Sequence, residues 1–176
     1  QKFWQLCVAN PELRLERTAE GEVIIMPPAF SDTGARNLDI AAQLWVWNQR
    51  TGLGRAFDSS AGFTLPNGAI RSPDAAWIRK ERWEALTRQE QSRFASLCPD
   101  FVVELRSRSD DLADVRKKML EYMENGARLG WLIDPLVQQV YIYRPGYALE
   151  VLDDPEIVSG DPILPGFILE LGGILT

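Results

Sequence analysis

The sequence predicts a single α+β domain over residues 1–176, with a mixed sheet flanked by helices and an N-terminal β-hairpin extension. Three observations support this fold class. The length of 176 residues fits one domain. Short segments with strand periodicity alternate with helix-periodic segments, and Gly and Pro turns separate them. No repeat, low-complexity tract or linker-like change of composition divides the chain.

The N-terminal part combines a short helix with a hairpin. Residues 3–10 are predicted to be helical, and Pro11 ends that helix. Strands are predicted at residues 13–17 and 22–26, and they are joined by a turn that contains Gly21.

The first long helix is predicted to begin at a cap supplied by Ser31, Asp32 or Thr33 and to run to about Arg50, before Gly52. It carries apolar residues on two opposite faces. We therefore expect both faces to be buried, either inside the domain or against a second subunit. One face is Ile40, Leu44 and Trp47, and the other is Leu38, Ala42 and Trp45.

The rest of the chain supplies most of the predicted sheet. Residues 101–105 form a nearly continuous apolar run, which is typical of a central strand covered on both faces. Asp110 or Asp111 is predicted to cap a helix that runs to Asn125 and stops at Gly126. A shorter helix at residues 81–87 precedes a surface loop or irregular helix at 88–92. Further strands are predicted at residues 55–59, 62–65, 69–79 with a break at Pro73, 128–134, 137–144, 147–152 and 167–171.

The composition excludes several kinds of catalytic site. The chain contains no histidine, so it cannot form a Ser-His-Asp or Cys-His couple, or a zinc site with histidine ligands. Catalysis would therefore depend on carboxylates, lysine, hydroxyls, thiols or a metal held by oxygen ligands.

Charge and hydropathy indicate a cytoplasmic protein. A net charge of −6 argues against broad adhesion to DNA or anionic membranes, although it allows a local basic groove. No apolar run approaches the ~20 residues of a membrane span, and the N-terminus shows no secretory signal. Cys7 and Cys98 have no disulfide or metal spacing and are predicted to be reduced, buried thiols.

Glu104 is the first candidate site residue. It lies inside the predicted central strand, on the same face as Val102 and Arg106. An ionised carboxylate in that position is costly unless it is paired, hydrogen-bonded or bound to a cation. A salt bridge with Arg106 is the structural alternative to a functional role.

Asp74 is the second candidate. It follows Pro73 at the start of an apolar strand, 30 positions before Glu104. Two such carboxylates suit Mg²⁺, because this ion takes oxygen ligands and keeps several waters. A plain turn carboxylate after proline is the alternative.

The helix after Asp111 supplies a candidate cation. Lys118 lies at the border of its apolar stripe, where a long side chain can lean back over the preceding strand. Lys117 lies on the far side and is predicted to be solvated. Arg116 falls within the stripe, so it is either half-buried in an ion pair or a rival for the role of Lys118. The stripe consists of Leu112, Val115, Met119, Tyr122 and Met123.

Other candidates carry weaker signals. Glu16, Glu22 and Asp39 could each supply an outer carboxylate, but nothing in their spacing selects one. Asp58 is predicted to belong to a strand-end turn. Four tryptophans are predicted to lie in the core rather than to stack on bases, namely Trp45, Trp47, Trp77 and Trp131.

Four sequence segments carry a resemblance to a known family. They are Ser72-Pro73-Asp74-Ala75, residues 99–107, Lys118-Met119-Leu120-Glu121-Tyr122 and residues 130–135. Together, and in this order, they resemble the Uma2 family of restriction-endonuclease-like proteins, within the PD-(D/E)XK nuclease superfamily. The likeness covers nearly the whole chain, including residues 16–26 and 33–37.

The resemblance implies a restriction-endonuclease-like fold and a metal-dependent phosphodiesterase site. Asp74, Glu104 and the carbonyl of Leu105 would bind Mg²⁺ or Mn²⁺. The lysine of the superfamily motif is replaced here by Arg106, which stays protonated but can steady the attacking water or developing charge. Members of the family often draw this cation from the next helix. This favours Lys118 as the catalytic cation, and Arg106 is a further candidate.

The leading hypothesis is therefore a Mg²⁺-dependent endonuclease that hydrolyses DNA, acts as a homodimer and does not bind membranes. A catalytically inactive nuclease-fold module that binds nucleic acid or a protein partner is the alternative, favoured by Arg106 and the acidic balance. A small-molecule enzyme with a general acid and base pair of carboxylates is a third reading, and it leaves the neighbouring basic residue unexplained. A DNA substrate further requires basic residues concentrated near Arg71, Arg106, Arg108, Lys117 and Lys118.

Overall fold

A computed structural model describes residues 2–176. Its helices are α1 Lys2–Ala9, α2 Ser31–Thr51, α3 Lys80–Glu84, α4 Arg88–Gln91 and α5 Leu112–Glu124. Its strands are β1 Arg14–Arg17, β2 Val23–Met26, β3 Gly54–Asp58, β4 Phe63–Thr64, β5 Ile70–Arg71, β6 Ala75–Arg79, β7 Phe101–Leu105, β8 Leu129–Asp134, β9 Gln139–Tyr143, β10 Glu150–Asp153, β11 Ile157–Ser159 and β12 Ile168–Glu170.

The centre of the molecule is a six-stranded mixed sheet in the order β10-β9-β8-β7-β6-β3. Strands β7 and β8 pair in parallel, and the other neighbours pair antiparallel. A parallel pair needs a crossover connection, which α5 supplies between β7 and β8. The predicted α+β fold with a mixed sheet flanked by helices is confirmed.

Helices cover both faces of this sheet. On one face, Ile40 and Leu44 of α2 pack in a core with Phe101 and Val103 of β7. On the other face, Met119 and Tyr122 of α5 pack in a second core with Val102. All five residues of β7 are buried, as predicted for a central strand with helices on both sides.

The N-terminal hairpin joins a separate four-stranded sheet in the order β2-β1-β5-β4. Gly21 adopts a φ of 96° in the turn between β1 and β2, a conformation that glycine reaches without steric cost. The inner strand β1 buries residues on both of its sides. Leu15 packs with Phe3 and Ile70, and the neighbouring Glu16 is also buried.

The start and the outer face of α2 differ from the prediction. Its N-cap is Phe30, and no side chain caps the helix. The face with Ile40 is buried, but Leu38 is 69% exposed and Trp45 is 57% exposed. The prediction that Trp45 lies in the core is wrong, because the sheet covers only one side of the helix. The end is as predicted, since Gly52 is left-handed with a φ of 63°.

A few other local expectations also need correction. Strand β11 was not predicted, and it pairs with β12 in a short two-stranded sheet. Residues 88–91 form a helix with a capping box between Thr87 and Glu90. Cys98 is buried, whereas Cys7 is only half-buried, and both are free. Across residues 2–176, no helix combines the length and hydrophobicity required to cross a bilayer.

Candidate functional site

Asp74 and Glu104 face each other across two neighbouring strands. Ala75 of β6 pairs with Val103 of β7 in an antiparallel register, so the residue before Ala75, Asp74, lies opposite the residue after Val103, Glu104. Asp74 Oδ2 accepts a hydrogen bond of 2.8 Å from the backbone N–H of Leu105. The two carboxylates predicted from sequence are therefore brought together at the end of β7.

Helix α5 places Lys118 directly against Glu104. Lys118 Nζ lies 2.8 Å from Glu104 Oε1, and the hydroxyl of Tyr122 donates to the same oxygen at 2.9 Å. The two α5 residues are one turn apart, so both reach the strand from one helix face. The helix begins where Asp111 caps it by accepting hydrogen bonds from Ala113 and Asp114. Lys118 is thus the predicted cation that approaches the acid pair.

Glu16 joins this group, and sequence reasoning did not select it. Glu16 Oε1 lies 2.8 Å from Lys118 Nζ and accepts a 2.8 Å hydrogen bond from the backbone N–H of Ser72. Its side chain is 2% exposed. Lys118 therefore bridges two carboxylates, one from the central sheet and one from the N-terminal hairpin.

Two arginines complete the ionic surroundings. Arg71 pairs with Glu16 at 3.2 Å and with Glu121 at 2.6 Å. Arg14 Nη2 lies 3.7 Å from Asp74 Oδ1. Four carboxylates thus face three cationic side chains. The acids are Glu16, Asp74, Glu104 and Glu121, and the bases are Arg14, Arg71 and Lys118.

The two central carboxylates have raised pKa values, chiefly because they are buried. Burial raises the pKa of Glu104 to about 7; Lys118 opposes this shift, and the charges of Asp74 and Glu16 add to it. Burial also raises the pKa of Asp74, against the lowering effects of the Leu105 hydrogen bond and the nearby cations. Both carboxylates lack full compensation, and a bound cation would supply it.

The pKa values of Lys118 and Glu16 shift toward the charged forms, unlike those of Asp74 and Glu104. Burial acts to lower the pKa of Lys118, but Glu104 and Glu16 outweigh it and raise that pKa above its ordinary value. Burial acts to raise the pKa of Glu16, but Lys118, the Ser72 N–H and Arg71 outweigh it and lower that pKa. Lys118 is therefore a protonated hydrogen-bond donor at neutral pH, and Glu16 is an ionised acceptor.

The donor set suits a hard divalent cation. Within residues 2–176, no group of three or more Asp, Glu or Cys side chains is arranged to hold a metal ion. Two carboxylates with water and substrate oxygens are nevertheless a common environment for Mg²⁺. Asn37 donates to Asp74 Oδ1 at 3.4 Å, while its own buried Oδ1 has no hydrogen-bond partner in the described part of the chain. A hydrated cation beside Asp74 would bring donors to this oxygen.

Arg106 lies in a separate ion pair. Its Nη1 is 2.8 Å from Asp134 Oδ2, and its Nε donates to the carbonyl of Asp110 at 3.3 Å. Among residues 2–176, neither Glu104 nor Asp74 forms an ion pair with it. Arg116 stacks over the ring of Tyr141, with its guanidinium carbon 4.7 Å from the ring centroid.

The five basic residues expected near a DNA groove all lie beside carboxylates. Each of them pairs with at least one acidic side chain. Arg71 and Lys118 bind the buried acids described above, and Arg106 binds Asp134. The two exposed members pair at the surface, Arg108 with Asp32 at 3.5 Å and Lys117 with Asp114 at 3.3 Å.

Comparisons with known proteins agree with this fold. A family model named Uma2, described as "Putative restriction endonuclease", matches residues 1–172. Four chains of solved structures match, and one is the crystal structure of a "putative nuclease belonging to DUF820" from Anabaena variabilis ATCC 29413. It is 25% identical, the alignment covers 93% of this chain and 90% of that chain, and the TM-score is 0.77. No curated protein matches. Because the family model spans nearly all of the sequence, the chain belongs to the Uma2 family.

Proposed function

We propose that the protein is a Mg²⁺- or Mn²⁺-dependent endonuclease that hydrolyses phosphodiester bonds of DNA. The observation that carries the proposal is the meeting of Asp74, Glu104 and Lys118 at one end of β7. Two carboxylates can hold a divalent ion, and a protonated lysine can stabilise negative charge that develops on a phosphate. The family description and the solved nuclease relative support the same class of reaction.

Asp74 and Glu104 are the proposed metal ligands, and the carbonyl of Leu105 is a further candidate ligand. When bound, the ion would neutralise charge on the phosphate and make water a better nucleophile. Lys118 stays protonated, so its part is to donate hydrogen bonds, either to the attacking water or to phosphate oxygens that gain charge in the transition state. Tyr122 holds Glu104 in place through its 2.9 Å hydrogen bond.

Plasmid cleavage in Mn²⁺ or Mg²⁺ tests the proposal. The wild-type protein is expected to nick or linearise DNA only with the ion present, and chelation by EDTA is expected to stop it. Asp74→Asn and Glu104→Gln are expected to abolish cleavage while the protein stays folded. Glu124→Gln is the matched control, because Glu124 is exposed on the same helix as Lys118. Cleavage that survives both site substitutions contradicts the proposal.

A catalytically inactive nuclease-fold module is the second candidate. It is favoured by the ion pairs of Lys118 with Glu104 and Glu16, which partly satisfy these buried groups without a metal. It is favoured further by the pairing of all five residues of the expected basic groove. Gel-shift assays with DNA in EDTA, beside the cleavage assay, separate the two candidates. Binding without cleavage in any divalent ion would support the module.

We also propose that two copies form a homodimer through the outer face of α2. Leu38 and Trp45 lie seven residues apart on that face and are 69% and 57% exposed, and apolar side chains that share one exposed face can form a contact surface. Two sites in a dimer would also allow both strands of a duplex to be cut. Light scattering after gel filtration is expected to give a dimer mass, and Trp45→Glu is expected to give a monomer. A monomeric wild-type protein would contradict this part.

A further inference from the structure

We propose that Glu16 is a positioning residue of the nuclease site, which holds the ammonium group of Lys118 against Glu104. The inference rests on the proposed nuclease function for its catalytic consequence. It concerns a residue of the N-terminal hairpin that is separate in sequence from the metal ligands and from the helix that carries Lys118. Its role is to act through Lys118 and not to touch the substrate.

The contacts of Glu16 fix both of its oxygen atoms. Oε1 accepts from Lys118 Nζ and from the backbone N–H of Ser72, each at 2.8 Å. Oε2 pairs with Arg71 at 3.2 Å. Because the side chain is 2% exposed, little room is left for it to adopt another orientation. A charge held by three donors in this way is a rigid anchor for Lys118.

Lys118 needs such an anchor. A lysine ammonium is a point charge on a flexible four-carbon stem, and Glu104 alone would fix only one of its three donors. With Glu16 on its other side, Nζ is held at 2.8 Å from two carboxylate oxygens. Chemistry at the site depends on the position of this cation, and small displacements of a catalytic group are costly.

Glu16 is itself held by Arg71, a residue outside the central sheet. Arg71 links Glu16 to Glu121 of α5, the helix that carries Lys118. The hairpin, strand β5 and α5 are thereby tied together around one buried ionic group. The N-terminal hairpin therefore completes the site, although it adds no strand to the central sheet.

Glu16 does not fit the role of a metal ligand. Both oxygens already accept from cations or from a backbone N–H, whereas Glu104 Oε2 accepts no hydrogen bond from residues 2–176. Glu16→Gln is therefore expected to lower the Mn²⁺ affinity by no more than about tenfold, the lower end of the losses seen when a residue around the metal ligands is changed. A loss as large as that of Glu104→Gln would make Glu16 a ligand and overturn the proposal.

Single-turnover cleavage in Mn²⁺ gives the kinetic test. Glu16→Gln is expected to lower the cleavage rate by about 100-fold with little change in DNA affinity. Glu22→Gln is the control, because Glu22 is exposed in the same hairpin. In a Lys118→Met background, Glu16→Gln is expected to cost little more, since a residue that acts through Lys118 has nothing left to position. Additive losses in the double variant overturn the proposal.

Chemical labelling of lysines tests the same contact without any cleavage. An amine-reactive ester at fixed pH, followed by fragment-ion mass spectrometry, reports Lys118 relative to Lys117. Glu16→Gln is expected to raise labelling of Lys118 severalfold and to leave the exposed Lys117 unchanged, in protein whose melting shows that it is folded. Unchanged labelling of Lys118 overturns the positioning role. If the wild-type protein cuts no DNA, the proposed nuclease function is contradicted. The labelling result would still show whether Glu16 holds Lys118 in place.

Discussion

Two ionic groups lie two residues apart on the same side of β7 and its extension. Glu104 belongs to an acid-rich group with Lys118, Asp74 and Glu16. Arg106 forms a one-to-one pair with Asp134 at 2.8 Å, and the side chain of Asp134 is fully buried. The first group has more carboxylates than cations, whereas in the second group one carboxylate balances one cation.

Charge balance separates the candidate site from the structural pair more clearly than sequence position does. Arg106 stands two residues after Glu104, where the resemblance led us to expect a lysine, yet its donors are taken by Asp134 and by the carbonyl of Asp110. Lys118 comes from the next helix and lies among carboxylates whose negative charge is not fully compensated. We therefore expect chemistry at the first group and folding stability from the second.

Removing the cation of the acid-rich group is expected to slow cleavage strongly. Lys118→Met is expected to lower the rate of DNA cleavage by about 10²- to 10³-fold, as when one donor to a developing negative charge is lost. Lys117→Met is the control, because Lys117 is 77% exposed and pairs only with Asp114. Single-turnover assays measure both variants. Similar rates for the two would remove Lys118 from the mechanism.

The Arg106–Asp134 pair is expected to affect the stability of the fold. Asp134→Ala leaves Arg106 without its buried partner and is expected to lower the free energy of unfolding by about 3–5 kcal/mol. Arg144→Met breaks the more exposed pair with Glu150 and is expected to cost less than about 1 kcal/mol. Urea unfolding followed by tryptophan fluorescence compares the two. Equal losses would show that the Arg106–Asp134 pair is not a structural element of the core.

A smaller effect is expected from the hydroxyl that supports Glu104. Tyr122→Phe removes a 2.9 Å hydrogen bond to Glu104 Oε1 and is expected to lower the free energy of unfolding by about 1.5–3 kcal/mol, as for bonds to charged groups. Tyr147→Phe provides the comparison, since Tyr147 is 76% exposed. Urea unfolding measures both variants. A Tyr122→Phe protein whose free energy of unfolding is unchanged would contradict the hydrogen bond between Tyr122 and Glu104.

The smallest expected effect is the pH dependence of metal affinity. Burial raises the pKa of Glu104 to about 7, so below that pH a proton competes with the ion for the carboxylate. The Mn²⁺ affinity is expected to rise by at most about tenfold per pH unit up to pH 7 and then to level off. Titrations from pH 5.5 to 8.5 measure the slope. An affinity that falls as pH rises would contradict the assignment of Glu104.

Local patterns predicted much of the fold and the centre of the site. The apolar run of β7 marks a central strand, and Asp111 and Gly126 mark the ends of α5, because caps and periodicity depend on neighbouring residues. Strand burial, the position after Pro73 and helix periodicity marked Glu104, Asp74 and Lys118 as candidates, the resemblance to Uma2 supplied their expected roles, and the structure brings the three together. Their catalytic roles remain predictions.

Long-range pairings could not be read from the sequence. Glu16 and Lys118 are 102 positions apart, and nothing in the pattern of β1 marks Glu16 as buried. Asp134 meets Arg106 only because β7 and β8 pair in parallel with a register that α5 sets. The outer face of α2 was ambiguous for a similar reason, since apolar periodicity does not tell which side a sheet will cover.

Titration calorimetry with Mn²⁺ measures whether Asp74 and Glu104 together bind a divalent ion. We expect saturable binding by the wild-type protein, loss of that binding in Asp74→Asn and in Glu104→Gln, and its retention in Glu124→Gln. Absence of binding by the wild-type protein, or equal affinity in both site variants and the wild type, would contradict a metal site at the end of β7.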